Sequence, residues 1–166
     1  MKFTITRINK QNKLTVSTKT VDSFLERIAK DDAKQSVARF RMSVPLLEGD
    51  YQYYKGINEW QHVYPAAEFS KDESGNLVFQ QSNGLVMLHF INLVTKQEKD
   101  AVKTAVSLLP MTFAAIEGAD SRSLIVLVSI SNEEGKIPTK EEEADLLYQS
   151  AYEQVKSLYQ SQVQAT

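Results

Sequence analysis

Two histidines, His62 and His89, are the chain's only imidazoles, the side-chain type suited to proton transfer and metal binding. His89 follows the apolar run Gly84-Leu85-Val86-Met87-Leu88. That spacing puts it near the carboxyl end of a strand, where open α/β sheets gather their ligand-facing residues. His89 could there bind a metal or shuttle a proton. The plainer alternative is a hydrogen-bonded histidine at a strand end. A catalytic metal site takes about three protein ligands. Locally, His89-Phe90-Ile91-Asn92 offers only His89 and, weakly, Asn92, so Glu117 and Asp120 further along are the candidates to converge on it. A second possible site is the loop Asp120-Ser121-Arg122-Ser123. Its guanidinium, two hydroxyls and backbone amides suit a phosphate, although an exposed arginine in a hairpin loop needs no ligand. There is no P-loop, dinucleotide fingerprint, HExxH or GxSxG motif. With no cysteine, thiolate zinc sites, cysteine nucleophiles and disulfides are excluded.

The elements that must position these residues fit one domain over residues 1–166, a length sufficient for one hydrophobic core. Apolar residues make up 42% and charged residues 24%, as in ordinary globular chains. The net charge of −2 is unevenly spread. Residues 1–60 hold eleven Lys/Arg against seven Asp/Glu, a balance of +4; residues 61–166 hold eight against fourteen, a balance of −6. Arg39, Arg41 and Lys55 in the basic part are further candidates for phosphate contact. Tyr51, Tyr53, Tyr54, Trp60, Tyr64 and Phe69 read as a stacking platform for bases or as packed core. The first residues alternate polar and apolar, and no apolar run approaches the roughly 18 residues that span a bilayer. A cytoplasmic protein with no membrane partner is expected.

Lys2–Ile8 and Leu14–Ser17 alternate about the turn-like Asn9-Lys10-Gln11-Asn12, which predicts an N-terminal hairpin. Val21–Arg41 has helical spacing, with Thr20 or Asp22 as its cap and Asp31-Asp32 as a possible break. Pro45 to Ser82 reads as irregular structure with short strands, Asn76–Gln81 the best of them. Leu85–Phe90 is apolar enough to predict a strand buried on both faces. Thr95-Lys96-Gln97-Glu98 is a capping box opening a helix that Pro110 stops. Met111–Ile116 and Leu124–Ile130 are further strands, the first joined to Leu85–Phe90 by a parallel crossover and the second pairing antiparallel with it. Thr139-Lys140-Glu141-Glu142 is a second capping box before the last helix. The fold class is therefore α+β: a mixed sheet with an RRM-like βαββα core, plus an N-terminal β-hairpin and helix.

Several of these strands resemble the VirE N-terminal domain family. The likeness is carried by Asn83-Gly84-Leu85-Val86-Met87-Leu88-His89-Phe90-Ile91-Asn92-Leu93, by Met111-Thr112-Phe113-Ala114-Ala115, by Asp120 to Val128, and by Tyr64-Pro65-Ala66-Ala67-Glu68-Phe69-Ser70. It implies a primase or primase-polymerase-like front domain of a mobile-element protein, with helicase or primase-type modules as partners. The resemblance further implies that an Asp-x-Asp pair holding divalent metal falls on His89 and Ile91 here. Isoleucine cannot bind Mg²⁺, and histidine is a poor ligand for it. The glycines of the family's phosphate-side loop fall on Ser121 and Ser123, leaving Arg122 as its basic residue.

The expectation is a protein without catalytic residues or cofactor of its own, an accessory domain that contacts DNA, RNA or a replication or mobilisation partner. Arg122, Ser121, Ser123, Arg39, Arg41 and Lys55 would hold phosphate. One alternative is a nucleotidyltransferase dependent on Mg or Mn, using His89, Glu117 and Asp120. Another is a protein-interaction domain without nucleic-acid contact.

Overall fold

The computed structural model describes residues 1–9, 11–30, 34–46 and 61–165. They form two compact units, Met1–Phe79 and Gln80–Thr166. Helices and sheets are both present, in an α+β arrangement.

In the first unit, strand β1 (Lys2–Ile8) lies between β2 (Leu14–Thr20) and β3 (His62–Tyr64), antiparallel to both. The Asn9 side chain accepts from the amides of Gln11 and Lys13, and Asn12 takes a φ of 58°, which closes the expected hairpin. Phe3 and Ile5 are buried, and Phe3 meets Phe24 edge-on at 5.3 Å. The helix expected after the hairpin is two helices, α1 (Val21–Ala29) and α2 (Lys34–Ser43), followed by a single turn of 3₁₀ helix at Val44–Leu46. Thr20 caps α1, its hydroxyl accepting the Ser23 amide at 3.3 Å. Strands β4 (Ala67–Lys71) and β5 (Leu77–Ser82) form a two-stranded sheet. The segment expected to be irregular with short strands holds three of them among its described residues, and β5 falls within one residue of the expected Asn76–Gln81.

The second unit follows the expected order: β6 (Leu85–Phe90), α3 (Lys96–Ser107), β7 (Thr112–Glu117), β8 (Leu124–Ser129) and α4 (Glu141–Gln164). The sheet order is β6-β8-β7, and β8 is antiparallel to both neighbours. The mixed sheet expected from the sequence is corrected by this order. β6 and β7 run the same way, but β8 inserts between them, so no parallel hydrogen bonding is needed. Both helices cover one face. Val86 and Leu88 pack with Val102 and Val106 of α3, Val126 and Val128 of β8, and Val155 and Tyr159 of α4. On the opposite face of β6, Leu85 is buried, but Met87 is 49% exposed and His89 is exposed, so the expected two-sided burial holds only at the start of the strand. An apolar run alone does not distinguish a sandwiched strand from one on an open face.

The capping box at Thr95 is complete: its hydroxyl accepts the Glu98 amide at 3.1 Å, while Glu98 accepts the Thr95 amide at 2.7 Å. The second expected box does not form. Lys140, not Thr139, is the N-cap of α4, and no side chain caps it. Glu141, Glu142 and Glu143 face the helix dipole in the first turn. Among the described residues, no helix is long and apolar enough to cross a membrane.

Candidate functional site

The Asp120–Ser123 loop is set by the strand ends it joins. The Gly118 amide donates to the Ser123 carbonyl at 2.9 Å, and Ser121 adopts a φ of 58°. The Asp120 carboxylate then accepts the Arg122 amide at 3.0 Å and the Ser123 hydroxyl at 2.7 Å. Ser123 is buried, and a Cβ at position 118 would collide with its hydroxyl. Two of the donors read from sequence as a phosphate cradle, the Arg122 amide and the Ser123 hydroxyl, are therefore engaged by the loop's own acid. The Arg122 side chain is partly exposed.

His89 pairs across the sheet with Ile125, which pairs in turn with Ile116. Its row is apolar. Glu117, at the end of β7, accepts a hydrogen bond from the Lys99 amine at 3.0 Å. Asp120 is occupied within its loop. His89, Glu117 and Asp120 do not come together, and among the described residues no three His, Asp or Glu side chains gather where they could hold a metal ion. Arg39 and Arg41 lie exposed on α2 in the first unit. Lys55, with Tyr51, Tyr53, Tyr54 and Trp60, lies outside the described residues. Tyr64 and Phe69 pack edge-on at 5.7 Å, and Phe69 meets Phe79 at 6.2 Å, a packed row in the first unit.

Two clefts of about 270 Å³ each lie in the second unit. One runs beside α3 and is lined by Lys96, Lys99, Asp100, Lys103, Glu117 and Leu124. Its three lysines sit at helical spacings of three and four, which puts them on one face of α3. Lys99 is only 18% exposed and is committed to Glu117; Lys96 and Lys103 are exposed. The Arg122 carbonyl accepts the Leu93 amide at 2.8 Å, which fastens the arginine's backbone to the segment leading into α3. The other cleft lies between β6 and α4, where Leu88, His89, Phe90 and Ile91 meet Tyr152, Lys156 and Gln160.

The family model for the BT4734-like N-terminal domain matches residues 56–166. The chain belongs to the BT4734-like N-terminal domain family. No curated protein and no solved structure matches it. The family assignment corrects the resemblance to the VirE N-terminal domain read from the strands. The motifs behind that reading are short apolar strands with a following turn, a pattern any βαββ sheet with one covered face reproduces. The primase-like template falls with it, and so does the reading of His89 and Ile91 as lost metal ligands. The BT4734-like match takes in β3 to β8, α3 and α4. It therefore includes the α3 lysines, which the sequence pattern alone does not single out. The usable signal was the i, i+3, i+7 spacing of Lys96, Lys99 and Lys103 after the capping box.

Proposed function

We propose that this BT4734-like domain is a binding module for single-stranded nucleic acid, with no covalent step of its own. The observation that supports it is the cleft beside α3, where Lys96, Lys99 and Lys103 share one face. Three ammonium groups stand there against Asp100 and Glu117, leaving a local balance of +1. Arg122 is anchored to the segment entering the same helix. A phosphodiester backbone is the polyanion that would use cations spaced along one helix, and its affinity comes from releasing counterions. No base-reading group is assigned, so the contact is made to backbone and is indifferent to sequence. Exposed Lys96 and Lys103 are the primary contacts. Lys99 is held by its ion pair with Glu117 and offsets that carboxylate within the cleft.

The test is fluorescence anisotropy with labelled single-stranded DNA across a salt series. Affinity should fall with salt. The slope should drop by about 1.4 in Lys96→Ala/Lys103→Ala, since each phosphate contact on a single strand contributes about 0.7. No binding at low salt, or binding indifferent to the double substitution, would overturn the proposal.

A further inference from the structure

We infer that the outer edge of β6 is a docking edge for a second copy of this chain, which extends the sheet across a two-fold axis. The register settles which way its backbone faces. The Ile130 amide donates to the Gly84 carbonyl at 2.8 Å, and Val86 and Leu88 lie opposite Val128 and Val126. In an antiparallel ladder, bonded pairs alternate with unbonded ones. The Gly84 carbonyl and the amides and carbonyls of Val86, Leu88 and Phe90 therefore turn toward β8, the Gly84 amide going to the Ser82 hydroxyl, while Met87 and His89 turn theirs outward. Ser129 agrees: its amide donates to Met111 on the β7 side at 2.9 Å, so its neighbour Val128 faces β6. Leu85 lies on the same outward edge, and its amide meets the Tyr148 hydroxyl at 3.2 Å. That contact closes one end of the edge. Among the described residues, β6 has no strand on this side.

Sheets commonly defend such edges with charges, proline or bulges. The opposite edge of this sheet is defended. β7 has an irregular register between Thr112 and Ala114 and ends on Glu117. β6, with the sequence LVMLHF, has neither a bulge nor a Lys, Arg, Asp, Glu or Pro. It continues into Ile91, which is 60% exposed.

The occupant follows from self-complementarity. Two β6 strands running antiparallel about an axis at Leu88 place Met87 of each copy opposite His89 of the other. Each such pair exchanges two N–H···O=C bonds. The two pairs together use every outward backbone group of both residues, without a shift in register. No like charges are brought together along the strands. On the adjoining flank of α4, Lys156 stands 3.4 Å from Glu153 and also lies over Tyr152. Exposed Met87, Ile91 and Tyr152 add apolar surface beside the ladder.

The experiment is sedimentation velocity of the full chain over a concentration series, without nucleic acid. A reversible dimer is expected. His89→Pro removes an outward amide and leaves the β8 ladder intact. It takes two of the four bonds from the dimer, so dissociation should strengthen about thirtyfold at roughly a tenfold change per 1.4 kcal/mol. Met87→Lys, at a half-exposed position, should also yield monomer and decides the matter if the proline variant does not fold. Hydrogen exchange at Met87 and His89 should slow as concentration rises. A single-chain mass at every concentration, or a dimer indifferent to both substitutions, would overturn the inference, as would an edge protected equally at all concentrations.

Discussion

The hydroxyls of Thr112 and Tyr159 stand 2.6 Å apart, linking the start of β7 to the buried face of α4. Thr112 also donates to the Val106 carbonyl at 2.6 Å. A threonine hydroxyl has one proton, so Tyr159 is the donor between the two, and a relay runs Tyr159 to Thr112 to Val106. The relay gives the two ends unequal value. Tyr159→Phe leaves Thr112 its acceptor and should cost about 1 kcal/mol. Thr112→Val strands a buried phenol and should cost about 1–3 kcal/mol. Urea unfolding of both variants checks the order; the reverse order would refute the donor assignment.

Burial raises the Tyr159 hydroxyl above the ordinary 10.0, and the Thr112 bond only partly offsets this. The folded value lies above the unfolded one, so the contribution is complete below pH 10 and is lost as pH rises through the folded value. Stability should decline in alkali, and the decline should be shallower in Tyr159→Phe. Thermal melts between neutral pH and the alkaline range test this.

At α3 the sign is opposite. The Thr95 amide, then the Thr95 hydroxyl, hold the Glu98 carboxyl below the ordinary 4.5. The capping contribution is present above that value and lost as pH falls through the folded one. Amide exchange in the first turn of α3 should quicken in acid ahead of global unfolding. Thr95→Ala should cost about 1 kcal/mol and weaken that pH response without removing it, because the amide of residue 95 still donates to the Glu98 carboxylate.

Gly84 and Gly135 both have positive φ, at 61° and 74°. A Cβ on Gly84 would stand 2.7 Å from the Ile130 carbonyl oxygen and 2.9 Å from Ile137, whereas one on Gly135 meets nothing. Gly84→Ala should therefore lose more than the roughly 1–3 kcal/mol of backbone strain alone. Gly135→Ala should lose only that strain. Equal melting temperatures for the two variants would show that the contact at Gly84 relaxes freely.

What the sequence disclosed depended on whether the cause was local. The Thr95 box, the Asn9 turn and the β-α-β-β-α order were legible because a few adjacent residues determine each. Thr139 carries the same pattern as Thr95, but the helix starts one residue later, a shift that spacing cannot reveal. The exposure of Met87 and His89 on β6 and the place of β8 between β6 and β7 depend on partners dozens of residues away. The Ser123 hydroxyl looked available because the commitment of Asp120 to it is visible only in three dimensions. The α3 lysines looked like surface until Glu117 and Leu124 closed a cleft around them.

The central position of β8 also bears on synthesis. Among the described residues, β6 and β7 share no ladder, and each is bonded only through a strand that follows them both in the chain. A nascent polypeptide that has emerged only as far as residue 123 carries two apolar strands with nothing to zip against. The second unit is thus obliged to wait for its last strand, and for Val155 and Tyr159 beyond it, before its core can close. Chaperone capture, if it occurs during translation, should concentrate in that interval.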